Sequence, residues 1–122
     1  VLEHVGFEEG HIVSSVHNIA HHGDLSRSDQ TKYVIAKNVV NSFNDYVLEW
    51  DEKEIKTFIN DKLIFSYPKN DQPWERWPFD EKFHFILNIA IGGNWGGMKG
   101  IDDTAFPTKM EIEHFRVYKK NT

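Results

Sequence analysis

The 122-residue sequence predicts an all-β sandwich, and three observations support this fold class. Apolar and polar residues alternate along most of the chain, which is the period of a β-strand. Glycine, asparagine and aspartate separate the alternating segments, as expected for turns. Aromatic residues, which favour strands, make up 14% of the sequence, and no segment has a convincing helical period.

Seven segments of the chain fit the strand pattern and account for most of its length. Two polar loops, residues 23–31 and 68–78, separate some of them. A three-residue connection, residues 60–62, is expected to join the fourth and fifth strands as a hairpin. Residues 51–56 are briefly helical in pattern, but their charges suit a turn equally well. The predicted strands are residues 12–18, 32–38, 45–50, 54–59, 63–67, 83–91 and 110–118.

The longest predicted strand, residues 83–91, has apolar side chains on both of its faces. Phe83, Phe85 and three further apolar residues share one face, while Ile86 and Ala90 lie on the other. A strand of this kind is normally covered on each side by other parts of a sheet. The sequence therefore favours half of a larger sandwich over a complete small one.

Composition excludes several classes of function. The net charge of −5 and the lack of a basic cluster argue against a nucleic-acid partner. No apolar run approaches the roughly 18 to 20 residues that a membrane span requires, so no membrane partner is expected. The chain has no cysteine, which excludes a disulfide, a thiolate nucleophile and a zinc-thiolate site.

A glycine-rich loop with one tryptophan, Trp95, follows the longest predicted strand. An indole on such a loop can stack on the flat face of a sugar ring, or can plug one end of a sandwich, and the loop alone does not decide between them.

Several motifs in order along the chain resemble glycoside hydrolase family 16, whose members include laminarinases, lichenases and related β-glucanases. The laminarinase type, acting on β-1,3-glucans, is the most similar subgroup. The resemblance covers almost the whole chain, which makes it more specific than any single motif. The matching segments are residues 1–6 (VLEHVG), 15–17 (SVH), 43–50 (FNDYVLEW), 77–97 (WPFDEKFHFILNIAIGGNWGG), 106–107 (FP) and 110–118 (MEIEHFRVY).

The resemblance implies a concanavalin-like jelly-roll sandwich with an open sugar-binding cleft, of which residues 1–122 are the C-terminal part of a single catalytic domain. The family's catalytic strand carries Glu-x-Asp-x-x-Glu, and Glu3 stands where the last glutamate, the acid/base, belongs. The supporting aspartate and the nucleophile would then lie just upstream of Val1. A retaining glycosidase needs both carboxyl groups, so the isolated chain is expected to be inactive.

The resemblance also places four further residues in the sugar-binding cleft. His17 lies next to the acid/base, where it would hydrogen-bond the sugar or orient a carboxylate. Asn88 and Asn94 would offer amides to sugar hydroxyls, and Trp95 would stack on a glucosyl ring. Without the resemblance, Glu3 is an ordinary surface acid and His17 a strand histidine satisfied by a neighbour.

The sequence offers two possible metal sites, a group of histidines and Glu113. His17, His21 and His22 are close in sequence, with His4 and His11 upstream, but no carboxylate has convincing ligand spacing. Many family members bind a structural calcium ion through an acidic residue of the last strand, and Glu113 occupies that position. The other ligands would come from the missing half, and no cofactor is expected for catalysis.

Three functions therefore remain open. The first is the C-terminal half of a secreted β-glucanase that hydrolyses internal β-1,3 or mixed β-1,3-1,4 bonds by a retaining double displacement. The second is a lectin-like module that binds β-glucan without cleaving it. The third is one half of a split sandwich that assembles with another chain. We expect the first, with an extracellular location, β-glucan as substrate and the missing N-terminal half of the domain as partner.

Overall fold

The computed structural model describes residues 2–21 and 29–121, which form two compact units divided between His84 and Phe85. The first unit contains two three-stranded antiparallel sheets, each a simple meander. The all-β prediction is confirmed. The strands are β1 Leu2–His4, β2 His11–Ser15 and β3 Thr31–Ile35 in one sheet, and β4 Tyr46–Trp50, β5 Glu54–Ile59 and β6 Lys62–Pro68 in the other.

The two sheets of the first unit pack on a common core. Alternate residues of β5, namely Ile55, Thr57 and Ile59, are buried, which is the period of a strand with one face in the core. Tyr67 and Trp77, each 1% exposed, are its largest fully buried side chains. The aromatic rings of these two residues stack with centroids 5.7 Å apart. The core cluster comprises Ile12, Val16, Ile55, Ile59, Ile64, Phe65, Tyr67 and Trp77.

The hairpin between β5 and β6 is tighter than expected. Ile59 pairs directly with Lys62, so the connection has two residues, Asn60 and Asp61, and not three. Both adopt positive φ angles, 48° and 65°, as a type I′ turn requires. Asparagine and aspartate tolerate this conformation better than most residues, because their short polar side chains bond locally.

The predicted strands at residues 83–91 and 110–118 are wrong in this structure. Neither segment pairs with another strand among the described residues, and their apolar side chains are exposed. A strand is defined by ladder hydrogen bonds, so an alternating sequence without a partner does not form one. In this second unit Phe85 and Phe115 contact each other edge to face, with ring centroids 4.9 Å apart.

Other predicted boundaries shift by a few residues. The strand expected at 12–18 is β2 and ends at Ser15, and the strand expected at 32–38 is β3 and ends at Ile35. Most of the loop expected at 23–31 lies outside the described residues. A short 3-10 turn, Asp103–Ala105, follows Asp102, whose side chain accepts a hydrogen bond from the Thr104 amide. No helix in the described ranges is long and apolar enough to cross a membrane.

Candidate active site

The outer face of the first sheet carries the predicted acid/base. Ile12 belongs to the core and Ser14 bonds to Thr57 of the other sheet, so these β2 residues face inward. Val13 and Ser15 alternate with them and therefore point to the opposite face. Glu3 of β1 pairs directly with Val13, which places its carboxylate on that outer face. Register and alternation thus bring Glu3 and Ser15 to the same surface.

Ser15 connects Glu3 with His17. Its Oγ donates to Glu3 Oε2 at 3.4 Å and lies 3.5 Å from His17 Nε2. Ser15 is buried, Glu3 is partly buried and His17 is exposed. With the single Ser15 proton directed to Glu3, the contact to His17 requires a proton on Nε2. The arrangement orients a carboxylate beside an imidazole that solvent and ligands can reach.

The sheet register also brings an aromatic residue to this face that sequence reasoning missed. Val13 pairs with Tyr33 of β3, so Glu3, Val13 and Tyr33 form one row across the three strands. At about 4.8 Å between neighbouring strands, the two ends of the row are about 10 Å apart. Tyr33 is 49% exposed. The missing information was the pairing register, because Tyr33 alone is an ordinary strand residue.

His17 also lines a groove of about 430 Å³ together with Asn18, Ile19 and Pro78. Trp77, next to Pro78 in sequence, belongs to the core, and its indole N–H donates to Asp80 Oδ1 at 3.2 Å.

Another tryptophan, Trp50, lies in the other sheet. It is 43% exposed on β4, and its indole N–H donates to the Phe79 carbonyl at 2.8 Å. β4 is an edge strand of its sheet, so it has a neighbouring strand on one side only. This position leaves Trp50 partly exposed.

Asn88, Asn94 and Trp95 lie in the second unit. Asn88 and Asn94 are exposed and Trp95 is half-buried. Trp95 sits in a compact glycine turn, in which the Gly97 amide donates to the Gly93 carbonyl at 3.0 Å.

The turn that carries Trp95 has no room for side chains at its closing positions. A Cβ at Gly97 would lie 2.8 Å from the Gly93 carbonyl oxygen and 3.1 Å from Gly92 Cα. Gly92 and Gly93 have φ angles of 73° and 80°, which L-residues rarely adopt. The backbone turn around Trp95 therefore requires glycine at these positions.

Glu113 is exposed in the second unit, with its Oε2 3.7 Å from His114 Nδ1. Calcium takes six to eight oxygen ligands, usually several of them carboxylates. Among the described residues no group of three histidine, cysteine, aspartate or glutamate side chains is placed to hold a metal. Among the described residues Glu113 therefore has no partners for a carboxylate calcium site, and the remaining ligands would have to come from elsewhere.

The histidines of the described ranges do not form a candidate metal site either. His22 lies outside the described residues. His4 and His11 lie on neighbouring strands, with Glu9 near His4. Partial burial lowers the pKa of His4, and His11 lowers it further while the Glu9 carboxylate acts in the opposite direction. A neutral imidazole is thus favoured at His4.

The model of glycosyl hydrolases family 16 matches residues 1–114 of the chain. A β-glucanase from Rhodothermus marinus is 36% identical over 126 residues, covering 98% of this chain and 43% of that protein. The glucan endo-1,3-β-glucosidase A1 of Niallia circulans is 28% identical over 124 residues, covering 91% and 18% respectively. The solved structure of the laminarinase from Rhodothermus marinus has a TM-score of 0.79 at 36% identity, over 87% of this chain and 44% of that one. The chain thus spans less than half the length of these relatives.

Proposed function

The chain belongs to glycosyl hydrolase family 16, and we propose that it supplies the acid/base and part of the sugar-binding cleft of a retaining, extracellular β-1,3-glucanase. The observation that carries the proposal is the Glu3–Ser15–His17 group on the outer face of a three-stranded sheet. The similarity to a β-glucanase and an endo-1,3-β-glucosidase supports a β-glucan substrate.

In the proposed mechanism Glu3 acts twice. As a carboxylic acid it protonates the leaving glycosidic oxygen while a nucleophilic carboxylate, about 5 to 5.5 Å away, attacks the anomeric carbon. As a carboxylate it then removes a proton from the water that hydrolyses the glycosyl-enzyme. Ser15 orients Glu3, and His17 is exposed beside it to hydrogen-bond the sugar. The nucleophile is proposed to come from residues that precede Val1 in the full protein, so the 122-residue chain alone should not hydrolyse glucan.

The test of Glu3 uses the full coding sequence of the protein and the substitution Glu3→Gln. We expect kcat on a β-1,3-glucan polysaccharide to fall by about 10²- to 10⁴-fold, the usual contribution of general acid–base catalysis. With an aryl glycoside whose leaving group needs no proton, glycosylation should lose far less, and azide should restore turnover by replacing water as nucleophile. A residue of purely structural importance would not show this dependence on the leaving group.

The matched control is Glu52→Gln, which makes the same chemical change at an exposed position outside the site. It should retain wild-type kinetics. A Glu3→Gln variant with wild-type kcat on the polysaccharide would show that another group is the acid. Glucan binding without any release of reducing ends by the full protein would instead favour the lectin-like alternative.

The exposed apolar residues of the second unit favour a partner for this chain, proposed to be the N-terminal half of the same domain. Ile86 is 72% exposed, Val117 67% and Tyr118 80%, and none of the described apolar residues of this unit is buried. Surfaces of this kind mark interaction sites or aggregation liabilities. A sandwich completed by the missing half would cover them, as in the family resemblance.

The partner proposal is tested by comparing the 122-residue chain with the full protein. The chain alone should bind a hydrophobic dye or associate with increasing concentration, whereas the full protein should do neither. A 14.3 kDa monomer that binds no dye would contradict the proposal. Stable homodimers of the chain would favour the split-sandwich alternative. Glu113 is proposed to contribute to a structural calcium only within the complete domain.

A further inference from the structure

The groove beside His17 is formed by two segments that are far apart in sequence. Residues 17–19, which follow β2, line one wall, and Pro78 lines the other. It is a shallow groove, open to solvent, with a volume of about 430 Å³. Because neither wall belongs to the same strand or hairpin as the other, its width depends on contacts between the two segments.

Asn18 makes the main side-chain contact between the walls. Its Nδ2 donates to the Arg76 carbonyl at 2.9 Å, and its Oδ1 accepts from the His21 amide at 3.0 Å. One backbone hydrogen bond runs parallel to this link, from the Ala20 amide to the Glu75 carbonyl at 3.1 Å. Asn18 is 6% exposed, so its amide is committed to the protein and is not available to a sugar.

The Tyr67 hydroxyl extends this link into the core. It lies 3.4 Å from Asn18 Nδ2 and 3.2 Å from the Arg76 carbonyl oxygen, and it donates to Gln72 Oε1 at 2.9 Å. The Tyr67 ring is fixed by stacking on Trp77. Both walls are thereby tied to the same rigid side chain.

The Arg76 segment is also held from the side away from Asn18. The Arg76 guanidinium forms an ion pair with Asp29, which raises the pKa of Arg76. Gln30, the next residue, reaches the Tyr67 hydroxyl with its Nε2 at 3.4 Å. Segments before β3 and after β6 thus converge on the point where Asn18 meets Arg76.

We propose that Asn18 is a positioning residue that keeps the His17 wall and the Pro78 wall at a fixed separation, so that the groove is preformed for a β-1,3-linked glucose chain. Preorganisation raises affinity because the ordering of the two walls does not have to occur on binding. The identity of the ligand rests on the proposed function. The link that Asn18 makes between the two walls is observed in this chain.

The test compares Asn18→Asp with Thr57→Val in the full protein carrying Glu3→Gln, so that a bound glucan is not cleaved. Asn18→Asp keeps the size and the acceptor for His21, but it places a carboxylate oxygen against the Arg76 carbonyl. Thr57→Val also removes a buried hydrogen bond, to Ser14 at 2.8 Å, but on the core side and away from the groove. The control therefore reports what general destabilisation does.

Two readouts are measured on each variant. The first is the affinity for a β-1,3-linked glucose hexasaccharide, which should fall about tenfold in Asn18→Asp, the equivalent of one lost hydrogen bond. The second is hydrogen exchange of the Ala20 amide, which should accelerate in Asn18→Asp relative to the core amides of the same variant. Thr57→Val should change neither readout once its overall stability is taken into account.

Every other result either supports or contradicts the positioning role of Asn18. Unchanged affinity and unchanged Ala20 exchange in Asn18→Asp would overturn the proposal, as would equal losses in Thr57→Val. If the parent protein, with Asn18 and Thr57 intact, does not bind the hexasaccharide, the proposed ligand is wrong, and faster Ala20 exchange in Asn18→Asp still supports the link between the walls. Should Asn18→Asp not fold, Tyr67→Phe removes the shared hydroxyl while keeping the stacked ring, and the same two readouts apply.

Discussion

The hydrogen bond between Ser14 and Thr57 joins the two sheets of the first unit and predicts a strongly non-additive pair of substitutions. The two hydroxyl oxygens are 2.8 Å apart, and the residues are 0% and 2% exposed. Thr57→Val removes one partner and leaves the Ser14 hydroxyl buried with its bond broken. Ser14→Ala does the reverse.

The expected magnitude follows from this geometry. Stranding one buried hydroxyl costs about 1 to 3 kcal/mol of unfolding free energy, whereas removing both partners can be nearly neutral. Each single variant should therefore lose about 1 to 3 kcal/mol. The Ser14→Ala/Thr57→Val double variant should lose clearly less than the sum, with a coupling energy of about 1 to 2 kcal/mol.

Urea unfolding followed by tryptophan fluorescence measures all four proteins of this cycle, because Trp77 is buried in the same core. The slope of the free energy against urea should remain constant, which indicates that the same surface unfolds in each variant. Additive losses, with the double variant equal to the sum of the single ones, would refute the reasoning. The bond would then contribute nothing to the docking of β2 on β5.

Two further predictions concern the second unit and the loop after β6. Gly97→Ala places a Cβ 2.8 Å from the Gly93 carbonyl oxygen, so the turn must open and the amide of residue 97 should exchange faster, whereas Gly6→Ala, with nothing within 4 Å, serves as the unstrained control. Unchanged exchange at residue 97 would contradict the tight turn. The hydrogen bond from Lys69 lowers the pKa of Asp80 below its ordinary value of 3.8, with a smaller contribution from the Trp77 indole. Because the folded state holds that proton less tightly, Asp80 stabilises the protein above pH 3.8, and the stabilisation is lost as the pH falls through its lower folded pKa. The stability difference between wild type and Asp80→Asn should therefore shrink in that acid range, and a pH-independent difference would exclude this role.

The parts of the fold that the sequence predicted correctly are those decided by neighbouring residues. Alternation over residues 54–59 predicts β5 with its observed bounds, and the turn-forming Asn60 and Asp61 predict the hairpin to β6. The predicted loop was one residue too long because register depends on pairing across the hairpin. The same limitation explains the larger error at residues 83–91, where a long apolar run predicted a strand but no described strand lies alongside.

The candidate site likewise has features that neighbouring residues predict and features that depend on long-range contacts. Alternation places His17 on the face of Ser15, and the contact between these two residues agrees with it. The roles of Glu3, Asn88, Asn94, Trp95 and Glu113 came from the family resemblance and remain predictions. Tyr33 and Asn18 were missed because one depends on the register of three strands and the other on a contact across 58 positions of sequence.

The groove beside His17 depends both on the local sequence pattern and on long-range contacts. His17 follows β2, and the alternation of that segment predicts its position. The opposite wall of the groove comes from the loop after β6 and is held in place by Asn18 and Tyr67. A substitution in this link can therefore change ligand affinity without touching any group that contacts the sugar. Since catalysis in a retaining glycosidase requires the sugar to be held against two carboxyl groups within a fraction of an ångström, a loosened groove should lower activity even with both carboxyl groups intact. The proposed function thus predicts that side chains outside any catalytic motif contribute to activity.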